Sequence, residues 1–186
     1  MGRILFGIIL GVLMVPLALA GWLRWGHPPV AVADPSLPFE RQITHGPLNE
    51  RIDSEMPKVV PVEANEENLV AGARIYRDDC AACHGVHGKP SPFGGHMFPG
   101  APQLWEQHRN STVVGVSDDA PGETFWKVDN GIRLSGMPAF RDVLSQTQIW
   151  QVSVLLANAD KPLPPAALQI LKDEPAMPAP APASKP

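Results

Sequence analysis

The sequence predicts an all-α domain of about 95 residues, set between two proline-rich flanks. Three observations predict it. Apolar residues recur at helical spacing in separate stretches between Asn65 and Leu156. Proline, 22 of the 186 residues, gathers mostly on either side of those stretches. The first helical stretch also runs straight into a tight cysteine–histidine cluster, Cys80-Ala81-Ala82-Cys83-His84.

Taken in order, Ile4 to Leu23 is an uncharged, mostly apolar run flanked by Arg3 and Arg24. Twenty residues at 1.5 Å each span about 30 Å, the hydrocarbon thickness of a bilayer. Trp22 and Trp25 stand at its far end, where indoles favour the interface. Residues 1–24 therefore read as a membrane anchor. Ala18-Leu19-Ala20 offers the alternative of a signal segment cleaved after Ala20, with Pro16 just before it. Under either reading the rest of the chain is exported, which places it on the periplasmic side of the cytoplasmic membrane.

Residues 25–64 contain Pro28, Pro29, Pro35, Pro38, Pro47, Pro57 and Pro61 and no sustained helical period. They read as an extended spacer or as a segment wrapped on the domain, with Leu37-Pro38-Phe39 and Val59-Val60 as possible docking points. The domain proper is expected at 65–160. Asn65 suits the cap of a helix whose first turn holds Glu66 and Glu67. Leu69, Val70, Ala73 and Tyr76 continue that helix towards Cys80. Gly85 to Pro102 is loop, and Thr124–Asn130 is a short helix closed by Gly131. Ser145-Gln146-Thr147-Gln148 is a capping box before a helix carrying Ile149, Trp150, Val152, Leu155 and Leu156. Residues 161–186 are so rich in proline and alanine that a disordered tail is expected.

Composition excludes several function classes. Fifteen basic against 19 acidic residues give a net charge of −4, which provides no basic field for nucleic acid. Two cysteines make neither a disulfide scaffold nor a four-thiolate metal site. No glycine-rich phosphate loop followed by Lys-Ser/Thr is present, so nucleotide chemistry has no support.

The cluster Cys80-x-x-Cys83-His84 has the spacing of a c-type haem attachment site. Two thiols at the end of a helix reach the two vinyl groups on one porphyrin edge, and the following histidine turns its imidazole to the iron. Three rivals share parts of this pattern. A thioredoxin-type pair needs a strand before it, whereas a helix precedes this one. A zinc site needs more ligands at short spacing. A plain disulfide is permitted by export. The histidine, the preceding helix and the export segment together favour one covalent haem c. A buried porphyrin also gives a thin core an apolar body to pack around, at about 25 cal/mol per Å².

His84 is thus one expected iron ligand. For the other, Met137 and Met97 are the methionine candidates, beside His87, His96 and His108. Gly136 and Pro138 make a rigid non-helical loop that can present the Met137 thioether, and Met137 is the expected metal ligand. Met97 lies a short way past His84 and is expected to pack near the ring or at the surface. The loop histidines are expected to be solvated.

In order and content these motifs resemble those of class I monohaem cytochromes c: the helix into Cys80–His84, Gly100-Ala101-Pro102-Gln103-Leu104, Gly136-Met137-Pro138, and an apolar C-terminal helix. The resemblance covers residues 66–160, and the N-terminal run is similar to the anchor of membrane-attached bacterial members. It implies that Pro102 accepts from the His84 Nδ1–H and that Leu104 lies against the ring on that side. It also implies that Gly72 and Tyr76 cross the last helix near Val152 and Leu155. The loop from His84 to Pro102 is longer than in the shortest members. The implied function is single-electron transfer between respiratory redox proteins, with His/Met ligation, no small-molecule substrate and no enzymatic activity. The alternative is a small haem enzyme or gas sensor with an open distal site, for which the sequence offers no acid–base pair.

Overall fold

The computed structural model describes residues 2–173. The chain divides into two compact units, one up to Ile43 and the other from Thr44 onward. The first unit holds helix α1, Gly2–Trp25, which is long and apolar enough to cross a membrane and buries none of its side chains. Pro16 lies inside it without ending it. Beyond α1, the Asp34 carboxylate accepts from the backbone N–H of Val30 and of Ala31, each at 2.8 Å. This turn holds the Asp34 carboxyl below its ordinary value.

Helix α2, Glu40–Glu55, starts in the first unit and ends in the second. It corrects the expectation of a spacer without helical structure. Gly46-Pro47 reads as a breaker in the sequence, yet the helix continues through it. Its second half is fixed to the domain. Ile52 is buried, and the Trp126 indole donates to Glu55 Oε2 at 2.9 Å. A Cβ on Gly122 would overlap the Pro57 carbonyl, so the chain after α2 runs directly over that glycine. Val62 also packs on the core. Leu37, Phe39, Val59 and Val60 stay exposed, so the docking is done by other side chains.

Helix α3, Glu66–Ile75, begins at Asn65, whose side chain accepts from the Asn68 N–H at 3.0 Å. A π-helical turn, Tyr76–Cys80, and a short helix α4, Ala81–His84, continue it. A 3₁₀ turn follows at Gly94–His96. Helix α5 is Pro121–Asn130, with Pro121 in its first turn. Helix α6, Gln146–Leu156, carries the complete Ser145/Gln148 capping box. No strand is present among the described residues, and the domain is all-α.

Helices α3 and α6 cross at Gly72. A Cβ there would overlap the Gln151 carbonyl oxygen and stand 3.1 Å from Leu155 Cβ, so the two backbones meet where a side chain is missing. Tyr76, Ile149, Val152 and Leu155 are fully buried around this crossing. The Gln151 side chain donates to Asn68 Oδ1 at 3.0 Å and closes its rim. Helix α5 packs on α6 through Phe125 and Trp150, stacked 4.2 Å apart.

The expected disordered tail from 161 requires a second correction. Residues Pro165–Lys172 form α7, whose Ala167 and Leu171 are wholly buried among core side chains. The reason lies in the composition: Ala167, Leu168, Ile170 and Leu171 give one apolar face, and Pro164-Pro165 starts the helix instead of breaking it. The Ala/Pro repeat beyond it lies outside the described residues.

Candidate haem site

The cysteine–histidine cluster sits at the end of the longest helical path in the domain. In the π-helical turn, the Ala81 N–H reaches back five residues to the Tyr76 carbonyl. The added residue resets the phase of the helix just before Cys80. Cys80 and Cys83 are free thiols, both on half-buried residues. Burial pushes the Cys80 thiol up to about 12, with the neighbouring Asp79 and Cys83 adding to it.

His84 ends α4, and Gly85 turns the chain away with φ of 77°. The His84 Nδ1 lies 2.8 Å from the Pro102 carbonyl oxygen, an acceptor that makes this nitrogen the N–H donor. Nε2 is thereby the nitrogen with the lone pair a metal needs. Burial lowers the His84 pKa, with the Pro102 carbonyl acting against it. Leu104 is buried in the core, and its N–H donates to the His84 carbonyl at 3.2 Å.

Two groups that sequence reasoning passed over hold this segment in place. The buried Tyr76 hydroxyl donates to the carbonyls of Gly85 at 2.8 Å and His84 at 3.2 Å. Its ring meets Trp105 edge-on at 5.5 Å. The Gln103 amide donates to the Cys83 and Ala101 carbonyls at 3.3 and 3.0 Å, while its oxygen accepts from the Ser91 N–H at 2.6 Å. The sequence marks Tyr76 as apolar helix and Gln103 as one polar residue between Pro102 and Leu104. The hydroxyl and amide roles depend on contacts that no local pattern encodes.

Met137 is half-buried and packs against the core from the 131–140 loop. This loop is tightly wound. Gly131 has φ of 67°, and a Cβ there would come within 2.9 Å of the Met137 carbonyl. The Ile132 N–H donates to that carbonyl at 3.2 Å, and the Phe140 N–H donates to Val128 of α5 at 3.0 Å. Met97 is also half-buried, whereas His87, His96 and His108 are exposed. The His87 ring lies 5.8 Å from that of Trp105.

The donor set fits a covalently attached haem. It offers two free thiols three residues apart and a histidine oriented through Nδ1, on a half-buried helix end. Among the described residues, no group of three or more His, Cys, Asp or Glu side chains could hold a metal ion, which leaves a zinc reading without ligands. A family model described as cytochrome C oxidase, cbb3-type, subunit III matches residues 67–156. No curated protein and no solved structure matches the chain. The matched segment coincides with the region that holds α3, the cysteine–histidine cluster, the Met137 loop and α6. Residues 67–156 are a monohaem c-type cytochrome domain that carries its haem covalently, in a chain whose N-terminal helix is apolar enough for membrane anchoring.

Proposed function

We propose that this protein is a single-electron carrier with His84 and Met137 as axial iron ligands, held by α1 on the periplasmic face of the cytoplasmic membrane. The haem, bound through Cys80 and Cys83, supplies the ferrous–ferric couple. The chain's residues do the rest. Pro102 holds the His84 imidazole in one tautomer and one orientation through the 2.8 Å contact at Nδ1, the observation that carries the reading. Leu104 backs the same segment from the core. Met137 supplies a soft thioether, which favours ferrous iron and a high potential. With His84 and Met137 both holding it, the iron would keep no open site for a substrate, and the partners are redox proteins that donate and accept electrons.

The matched family description names an oxidase subunit, which favours a second arrangement: the same electron-carrying domain as part of an oxidase complex. Co-purification of oxidase activity with the detergent-solubilised protein distinguishes it from a free carrier.

The ferric absorption spectrum tests the ligand assignment. Methionine–iron ligation gives a weak far-red band, which Met137→Ala removes while opening the iron to carbon monoxide. A band that persists in Met137→Ala rejects Met137 as the ligand. A band absent from the unaltered protein, with ready carbon monoxide binding, favours the open-site enzyme or sensor instead.

A further inference from the structure

Met97 has no part in the carrier function as described, yet its position is unusual for a surface methionine. Its neighbours His96 and Phe98 are exposed, whereas Met97 is half-buried. The space beside Gly136 explains this. A Cβ on Gly136 would overlap Met97 Cε and lie 3.8 Å from Met97 Sδ, so the thioether end rests on bare backbone next to Met137. A side chain at 136 would push the Met97 methyl end off this seat.

The two loops meeting at this contact have different anchors. The Met97 loop is closed by Ala101 N–H to Gly94 O at 3.0 Å. It is tied to the cysteine–histidine segment through Gln103, which reaches the Cys83 carbonyl, and through the Ser91 hydroxyl, which donates to Ala82 O at 2.5 Å. The Met137 loop is tied to α5 instead, through Phe140 and Val128. No backbone hydrogen bond joins 91–101 to 131–140 among those of the described residues. An apolar contact from a flexible, polarisable side chain does so.

We propose that Met97 is a positioning residue: laid on Gly136, it latches the 131–140 loop to the loop fixed on the haem-attachment helix, and so keeps Met137 at the iron. The part that concerns iron rests on Met137 being the ligand; the latch itself concerns the two loops. Removing the side chain frees the 131–140 loop to open without altering any ligand.

The test uses the full-length, haem-bearing protein in detergent. Hydrogen exchange of a peptide covering Ile132–Ala139 should quicken about tenfold in Met97→Ala, because local opening sets the rate. Met97→Leu, which keeps an apolar branch, should restore most of the protection. Gly136→Ala should quicken exchange less than Met97→Ala does, since the added methyl moves only the end of Met97 off its seat. Cyanide binding to ferric haem, which requires the loop to open, should also be about tenfold faster in Met97→Ala, with the far-red band present before cyanide is added. Unchanged exchange in both Met97→Ala and Gly136→Ala overturns the latch, whichever group binds iron. Quickened exchange with unchanged cyanide binding overturns the link from latch to ligand. A far-red band surviving Met137→Ala rejects the ligand assignment separately, and exchange then decides the latch alone.

Discussion

The Tyr76 hydroxyl donates chiefly to the Gly85 carbonyl, at 2.8 Å, and at 3.2 Å to that of His84, which also accepts from the Leu104 N–H. Burial drives its pKa far upward, which keeps the hydroxyl a neutral donor. Tyr76→Phe keeps the ring on Trp105 but leaves the Gly85 carbonyl without its donor, at a cost of about 1–3 kcal/mol. Thermal unfolding of the haem-bearing protein should register this loss, and an unchanged melting temperature would show that water takes over the hydroxyl's role. Gly72 makes a different demand. Gly72→Val forces apart two helices whose backbones already touch, and overpacking of this kind costs about 1–3 kcal/mol. The expected result is a lower melting temperature with an unchanged far-red band, because the crossing lies among core side chains and holds no ligand. Gly72 could be singled out from the sequence through its resemblance to known crossings. Tyr76 could not be credited with its hydroxyl's role, because hydrogen bonds to carbonyls eight and nine residues ahead follow from the π-helical turn.

Among the elements of the haem domain, helix starts with side-chain caps were readable, whereas α2, with Gly46-Pro47 inside it, was not. Asn65 and the Ser145/Gln148 box mark true helix starts, because each cap satisfies backbone N–H groups that the helix leaves orphaned. Pro121 and Pro165 also stand at helix starts. The Pro165 signal is hidden by the proline-rich tail around it, which is why α7 escapes a composition-based reading. Helix α2 escapes for the opposite reason. Gly46-Pro47 lies inside it, and its stability comes from Ile52 and Glu55 contacting residues far along the chain. The Cys80–His84 cluster, Pro102 and Met137 belong to local motifs and were legible as candidates. The support from Gln103 and the seat of Met97 come from folding. If α7 is part of the core, Leu171→Ala should destabilise the haem-bearing protein by about 2–5 kcal/mol, as a buried leucine does. Besides filling the core, α7 offers the Leu171 carbonyl to the His87 N–H at 3.0 Å, so its loss also frees the chain just beyond His84. Denaturant titration measures the effect. A loss below about 0.5 kcal/mol would place α7 outside the cooperative unit.

For the whole molecule, the structure moves the start of the folded domain. The prolines of 25–64 leave two readings open, an extended tether or a segment wrapped on the domain. The stretch after Thr44 is not free chain, however. Ile52 is buried, the Trp126 indole bonds Glu55, Pro57 runs over Gly122 and Val62 packs on the core. The Glu55 carboxyl is held below its ordinary value chiefly by that indole hydrogen bond, so the contact persists at neutral pH. The most exposed stretch before it is about 26–39, where Val30 is 89% and Phe39 72% exposed. Proteases cut where backbone opens locally at little cost, so this stretch should be cleaved first. Limited digestion of the detergent-solubilised protein with a broad-specificity protease should release a red fragment that begins between Pro28 and Thr44 and retains Glu55. Trp126→Phe deletes the indole donor and should shift a share of the cuts to 56–64, since one clasp of the docked segment is gone. A native digest whose first red fragment starts after Pro57 would mean that the docked segment opens as readily as free chain, against the packing of Ile52 and Glu55 on the domain.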